Sequence, residues 1–180
     1  VQEAARRGLP NIASTIDSIE TLLEEENMKL FERNRVLSRT ELEARTEILL
    51  ENYIRTIHIE ACTTLHMAKR QILPACVKYA GKLAAAIVSV QSAGGQADSQ
   101  KKMLEKVCGL SDELHKAIDK LDEKVKGACN NKSTLEKARY SRQDIIPQMN
   151  AVRKASDELE MVVDADLWPL PTYAEMLFII

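Results

Sequence analysis

Between Gly8 and Gly81 the chain contains no glycine, and over most of that span apolar residues return every three or four positions. Leu42, Leu49, Tyr53, Ile57, Ala61, Leu65, Ala68, Ile72, Cys76, Tyr79, Leu83, Ile87 and Val90 trace one stripe of one helix. A sheet is excluded there, because strands place apolar residues with a period of two. Read from Ser38 to Ala93 without a break, the helix would be roughly 80 Å long, at about 1.5 Å per residue. Pro74 falls inside it. Proline lacks a backbone donor and its ring clashes with the carbonyl of Arg70, so the sequence predicts a kink there. The stripe keeps phase from Ile72 through Cys76 to Tyr79, which predicts one helix and not two.

Local signals bound this helix and its neighbours. Ser38-Arg39-Thr40-Glu41 reads as a capping box, in which hydroxyl and carboxylate each satisfy a backbone amide of the other residue. Gly94-Gly95 ends the helix, and Asp98 or Ser99 is placed to cap the next. Leu104, Val107, Leu110, Leu114, Ile118, Leu121 and Val125 form the apolar face of that second helix, which Gly127 and Asn130-Asn131 end. Ser133-Thr134-Leu135-Glu136 is a second capping box. It opens a helix carrying Leu135, Ala138, Ile145, Met149, Val152, Leu159 and Val163, with Pro147 predicting another kink. Turns this short impose antiparallel neighbours. With only 6 Gly and 5 Pro in 180 residues, most all-β architectures lack their turn residues. The expected fold is therefore all-α: an antiparallel helical bundle around one long proline-kinked helix, with an extended C-terminal tail.

Three segments follow from this pass. Residues 1–37 form an N-terminal helical segment with a breaker at Gly8-Leu9-Pro10, an apolar set at Ile12, Ile16, Ile19 and Leu23, and a short helix from Met28. Residues 38–163 form the long-helix bundle. Residues 164–180 form a tail rich in proline and aromatic residues, with Asp164, Asp166 and Glu175 but no Lys or Arg. Pro169 and Pro171 favour an extended path, and Thr172 is placed to cap a last helical turn. Trp168, Tyr173, Leu177, Phe178 and Ile179 would make a sticky patch if all stayed wet. They are the packing and interface candidates, docking on this bundle or on a sister domain or subunit.

Chemistry-bearing motifs are scarce. Lys+Arg number 25 against 27 Asp+Glu, a net charge of -2, so a dedicated nucleic-acid binder is not expected. No uninterrupted run of about 18 apolar residues occurs, so no membrane span is expected. The chain starts Val1-Gln2-Glu3, which suggests a piece of something longer. Cys62, Cys76, Cys108 and Cys129 are widely and irregularly spaced, which fits reduced thiols in a cytoplasmic protein. There is no glycine-rich phosphate loop, nucleophile elbow, HExxH or paired Glu-x-x-His, so no catalytic or cofactor-binding residue is assigned. The weak metal candidate is His58, Cys62 and His66, at i, i+4 and i+8 on one side of the long helix. The third ligand drifts by about 80° over eight residues of a 3.6-residue helix, poor geometry for a single ion, so no structural metal is expected.

Several runs resemble a known family. Thr40-Glu-Leu-Glu-Ala-Arg-Thr-Glu-Ile-Leu-Leu-Glu-Asn-Tyr53, Ile57-His-Ile-Glu-Ala61 and Met67-Ala-Lys-Arg-Gln-Ile-Leu-Pro-Ala75 resemble the C-terminal helical region of type III glutamine synthetases. The ending Asp166-Leu-Trp-Pro-Leu-Pro-Thr-Tyr-Ala-Glu-Met-Leu-Phe178 resembles how those proteins end, and Arg6-Arg7-Gly8-Leu9-Pro10-Asn11 resembles the stretch after their catalytic domain. The segment 92–135 is generic helix. The resemblance implies a parent enzyme that joins ammonia to glutamate using ATP and a divalent metal, magnesium or manganese. It also implies that the metal, nucleotide and glutamate sites lie upstream, so no catalytic residue is carried onto this chain. It implies as partners the parent's own catalytic domain and the sister subunits of a large double-ringed homo-oligomer. The expected function is then an accessory domain serving assembly, stability or regulation. The rival reading is a stand-alone helical interaction or scaffold protein with no enzyme attached.

Overall fold

The computed structural model describes residues 2–128, 133–171 and 173–178, with the backbone alone at 173 and 174. The expectations placed on Cys129, Asn130, Asn131, Thr172 and Ile179, and on the side chain of Tyr173, lie outside the described residues. Among those described, every regular element is helical: α1 (Gln2–Arg6), α2 (Thr15–Glu20), a 3₁₀ turn (Thr21–Leu23), α3 (Glu25–Arg33), α4 (Arg39–Met67), a π turn (Ala68–Ile72), α5 (Leu73–Ser92), α6 (Asp98–Gly127), α7 (Thr134–Tyr140), a second π turn (Ser141–Ile145), α8 (Ile146–Glu160) and α9 (Tyr173–Leu177).

The long helix forms as its pattern predicts. At its start the Ser38 amide and hydroxyl both donate to the Glu41 carboxylate at 2.7 Å, and the Glu41 amide donates back to the Ser38 hydroxyl at 3.4 Å. These donors hold the Glu41 carboxyl below its usual range. The backbone then stays helical from Arg39 to Ser92, so Pro74 does not separate two helices. The local solution is the π turn ahead of it. The Leu73 amide donates to the carbonyl of Ala68, one residue further back than in an α-helix. Widening the turn gives the Pro74 ring room beside the carbonyl ladder it would otherwise strike. The device recurs: a five-residue π turn, one residue, then Pro147. The helix ends in a Schellman motif, with the amide of Gly95 donating to Val90 and that of Gly94 to Gln91, and Gly94 at a φ of 81° that favours glycine. Asp98 lies inside the first turn of α6, whose first helical bond is accepted by the carbonyl of buried Ala97, so neither Asp98 nor Ser99 is the cap.

Contacts divide the chain into two units. The first comprises Val1–His58 and Ala128–Gln143. Its core brings Ile16 and Ile19 of α2, Leu50 of α4 and Ala138 of α7 together, with Tyr53, Ile54 and Leu135 packed against them. Arg142 reaches Asp17 at 2.9 Å, Arg139 pairs with Glu20, and the Thr134 hydroxyl donates to Glu47. The apolar stripe needs correcting here: Leu49 is 37% exposed, whereas Leu50 and Thr46 are buried. A stripe that admits only apolar residues passes over Thr46 and lands on the wrong leucine. Ile12 and Leu23 are also exposed, because Ile12 precedes the Ser14 cap of α2 and Leu23 falls in the 3₁₀ turn.

The second unit comprises Ile59–Gly127 and Asp144–Ile180. In it α6 packs against both α5 and α8. The face expected for α6 is the buried one, with Leu104 alone only half-buried. The elements it packs against bury Ile72 in the first π turn, Cys76, Leu83 and Ile87 in α5, and Val152 and Leu159 in α8. Ion pairs fasten the rims: Lys69 to Asp122 at 2.7 Å and Lys124 to Asp144 at 2.7 Å.

Candidate docking surface

The tail is fastened to the second unit at its start. Lys82 of α5 reaches Asp164 at 3.5 Å. The Asp164 carboxylate also accepts from the amide of Asp166, and its carbonyl accepts from the amides of Leu167 and Trp168, which turns the chain. Trp168 is half-buried, and its indole N–H is wholly shielded without an acceptor. Beside it opens a cleft of about 840 Å³ lined by Glu160, Val163, Asp166, Trp168, Pro169 and Glu175. Leu170, half-buried, lines a second groove of about 360 Å³ together with Met67, Ala68 and Ile72 at the first π turn and Met149 and Val152 of α8. Further on, apolar side chains stand in solvent. Met176 is 51%, Leu177 74% and Phe178 71% exposed.

Of the packing candidates, then, Trp168 is partly covered within its own unit, while Leu177 and Phe178 are not. Leu170 is the half-buried tail residue that sequence reasoning missed. The signal was present, an apolar residue between two prolines that fix an extended path, but the groove it lines is completed by residues about a hundred positions upstream and by α8.

His58, Cys62 and His66 are each exposed along α4. Among the described residues no three His, Cys, Asp or Glu side chains gather at metal-binding separation. The described residues therefore do not fit the divalent cation implied by the resemblance. Cys62 and Cys108 are exposed, and Cys76 is buried, which pushes its thiol up.

What these elements define is an all-helical packing domain with a partly docked, acidic and apolar tail. The family model for the glutamine synthetase C-terminal domain matches residues 1–91, and the chain belongs to that family. Along nearly its whole length the chain is similar to a type-3 glutamine synthetase of Dictyostelium discoideum, with 36% identity over 182 residues, 98% of this chain and 25% of the relative. It is 35% identical over 180 residues to a glutamine synthetase of Butyrivibrio fibrisolvens, covering 99% of this chain and 26% of the relative. A glutamine synthetase of Bacteroides fragilis is 27% identical over 98% of this chain and 25% of its own length. The chain thus spans about a quarter of the length of the curated relatives it matches.

Proposed function

We propose that this chain is the C-terminal accessory region of a cytoplasmic glutamine synthetase, non-catalytic in itself and serving the assembly or stability of its parent. The observation that carries the reading is the coverage: relatives named glutamine synthetase align with almost all of this chain and with only a quarter of themselves. Ligating ammonia to glutamate with ATP calls for a phosphate cradle and carboxylates that hold a divalent cation between phosphate oxygens. In this reading those groups, and the ATP and magnesium or manganese they bind, belong to the remainder of the parent. The region's contribution is packed helical surface offered to the parent's own catalytic domain and to sister subunits.

Two measurements test this. The 180-residue chain is expected to form no glutamine from glutamate, ammonia and ATP, and calorimetric titration with Mg-ATP is expected to show no tight binding. Micromolar Mg-ATP binding would overturn the non-catalytic assignment. A parent enzyme with this region deleted is expected to lose assembly mass or thermal stability. Unchanged mass, stability and turnover would overturn the accessory role.

A further inference from the structure

We infer that the outer face of α5 receives the exposed C-terminal tail of a second copy of this chain. The inference rests on the assembly reading above and names the surfaces that would carry it.

The face is apolar where a solvent-facing helix should be polar. Among the described residues one helix, Arg39–Ser92, is apolar enough to be taken for a membrane span, yet an apolar 18-residue window of it is only 17% buried. On α5 the buried side runs through Cys76, Leu83 and Ile87. A flank about 110° further round the helix runs through Val77, Gly81, Ala84 and Val88, in steps of four, three and four, the spacing of a helix-packing seam. Val77 is 63% and Val88 66% exposed, and a Cβ added at Gly81 would meet nothing within 4 Å. An apolar stripe of this kind, rimmed by charge, marks an interaction site.

Charge selects the occupant. No Asp or Glu occurs between Glu60 and Asp98, while Lys69, Arg70, Lys78 and Lys82 all do. Lys69 and Lys82 are paired with Asp122 and Asp164. Arg70 and Lys78 have no ion-pair partner among the described residues. Two such faces would repel one another, so face does not meet face. The complement is an apolar segment carrying only acids. The tail is that segment: from Asp164 onward it holds Asp164, Asp166 and Glu175 with no Lys or Arg, and it leaves Met176, Leu177 and Phe178 exposed.

Reach assigns the tail to another copy. Each chain's own Leu170 lines one groove with Ala68 and Ile72. Val88 lies 16 positions beyond Ile72, about 24 Å along a helix. Residues 171–177, the last five of them helical, span only about 14 Å even with the first two extended. A chain's own tail therefore stops short of the far end of its own face, whereas a neighbour's tail can approach it from any direction.

The contact is head-to-tail, so the two surfaces can be blocked separately. Sedimentation velocity of the 180-residue chain is expected to show self-association that grows from micromolar to high-micromolar concentration. Val88→Asp, or Ala84→Glu should the first lose helicity by circular dichroism, is expected to abolish it, as is Leu177→Ser. An equimolar mixture of the Val88→Asp and Leu177→Ser chains is expected to give heterodimers and nothing larger, because one face and one tail remain. Glu175→Lys is expected to lose association, and combining it with Lys78→Glu to restore it.

A wild-type chain that stays monomeric throughout would overturn the inference, as would association that survives Leu177→Ser. Binding to phosphatidylserine vesicles that Val88→Asp removes, in a chain that never self-associates, would overturn it in favour of a membrane. None of these results touches the accessory-region reading, which fails only if the longer parent assembles and works without this region.

Discussion

Thr46 offers the sharpest test of how the first unit is held together. It lies on α4 with 3% of its surface exposed, and its hydroxyl oxygen is shielded without a hydrogen-bond partner. Thr46→Val keeps the β-branched shape and replaces that hydroxyl with a methyl group. Two contributions then share a sign. Removing an unsatisfied buried polar group recovers about 1–3 kcal/mol. The added methyl contributes about 0.5–1 kcal/mol of apolar burial when it fits. Helix propensity hardly enters, since threonine and valine rank together. Allowing for imperfect fit, the variant is expected to gain about 1–2 kcal/mol. With a urea m-value of about 2 kcal/mol/M, the unfolding midpoint followed by circular dichroism should rise by about 0.5–1 M at unchanged m. Thr46→Ser is the control. It keeps the orphan hydroxyl and deletes the methyl, so it should fall below wild type by about 1 kcal/mol. A valine variant less stable than wild type would mean that the hydroxyl is engaged, and the reasoning would be refuted.

Two further outcomes are expected. Arg35 closes a Schellman motif after α3, with Val36 donating to Phe31 and Arg35 to Glu32, and it does so at a φ of 54°. Arg35→Gly should therefore stabilise by about 1 kcal/mol, and Arg35→Val should destabilise, in the same urea assay. The Asp122 carboxyl is held below its ordinary value, first by the Lys69 hydrogen bond and then by that of Lys126. A carboxyl depressed in the folded state contributes stability that is complete above the unfolded value and fades as pH falls through the folded one. The midpoint difference between wild type and Lys69→Met should thus be flat near neutrality and shrink as pH drops below the ordinary Asp range of about 4. A difference that grows on acidification would contradict the pairing.

Much of the helical architecture was legible one segment at a time. The box at Ser133 could be named from four residues because its two hydrogen bonds close within one turn, and both are present. The buried face of α6 could be read from Val107 to Val125 because a helix with one packed stripe repeats its pattern whatever lies opposite. A continuous helix through Pro74 was likewise implied by a stripe that stayed in phase, although the π turn that accommodates the ring was not. That turn is a choice among backbone hydrogen-bond partners, which side-chain periodicity does not report.

Other features depended on which surfaces meet. Leu50, not Leu49, is buried because Ile16, Ile19 and Ala138 converge there, and the first two and the last are separated by more than a hundred residues. The division into two units, each built from discontinuous stretches, has the same origin. So does the fate of the tail. By itself the sequence determined that an acidic, apolar, proline-stiffened ending follows a set of amphipathic helices. Only the tertiary structure decided that Leu170 is half-buried, that Leu177 and Phe178 stay exposed, and that α5 keeps an apolar stripe in solvent. Periodicity ranks the faces of each helix by hydrophobicity, but burial is settled between elements, where an equally apolar face is covered or left open according to what the rest of the chain can bring to it.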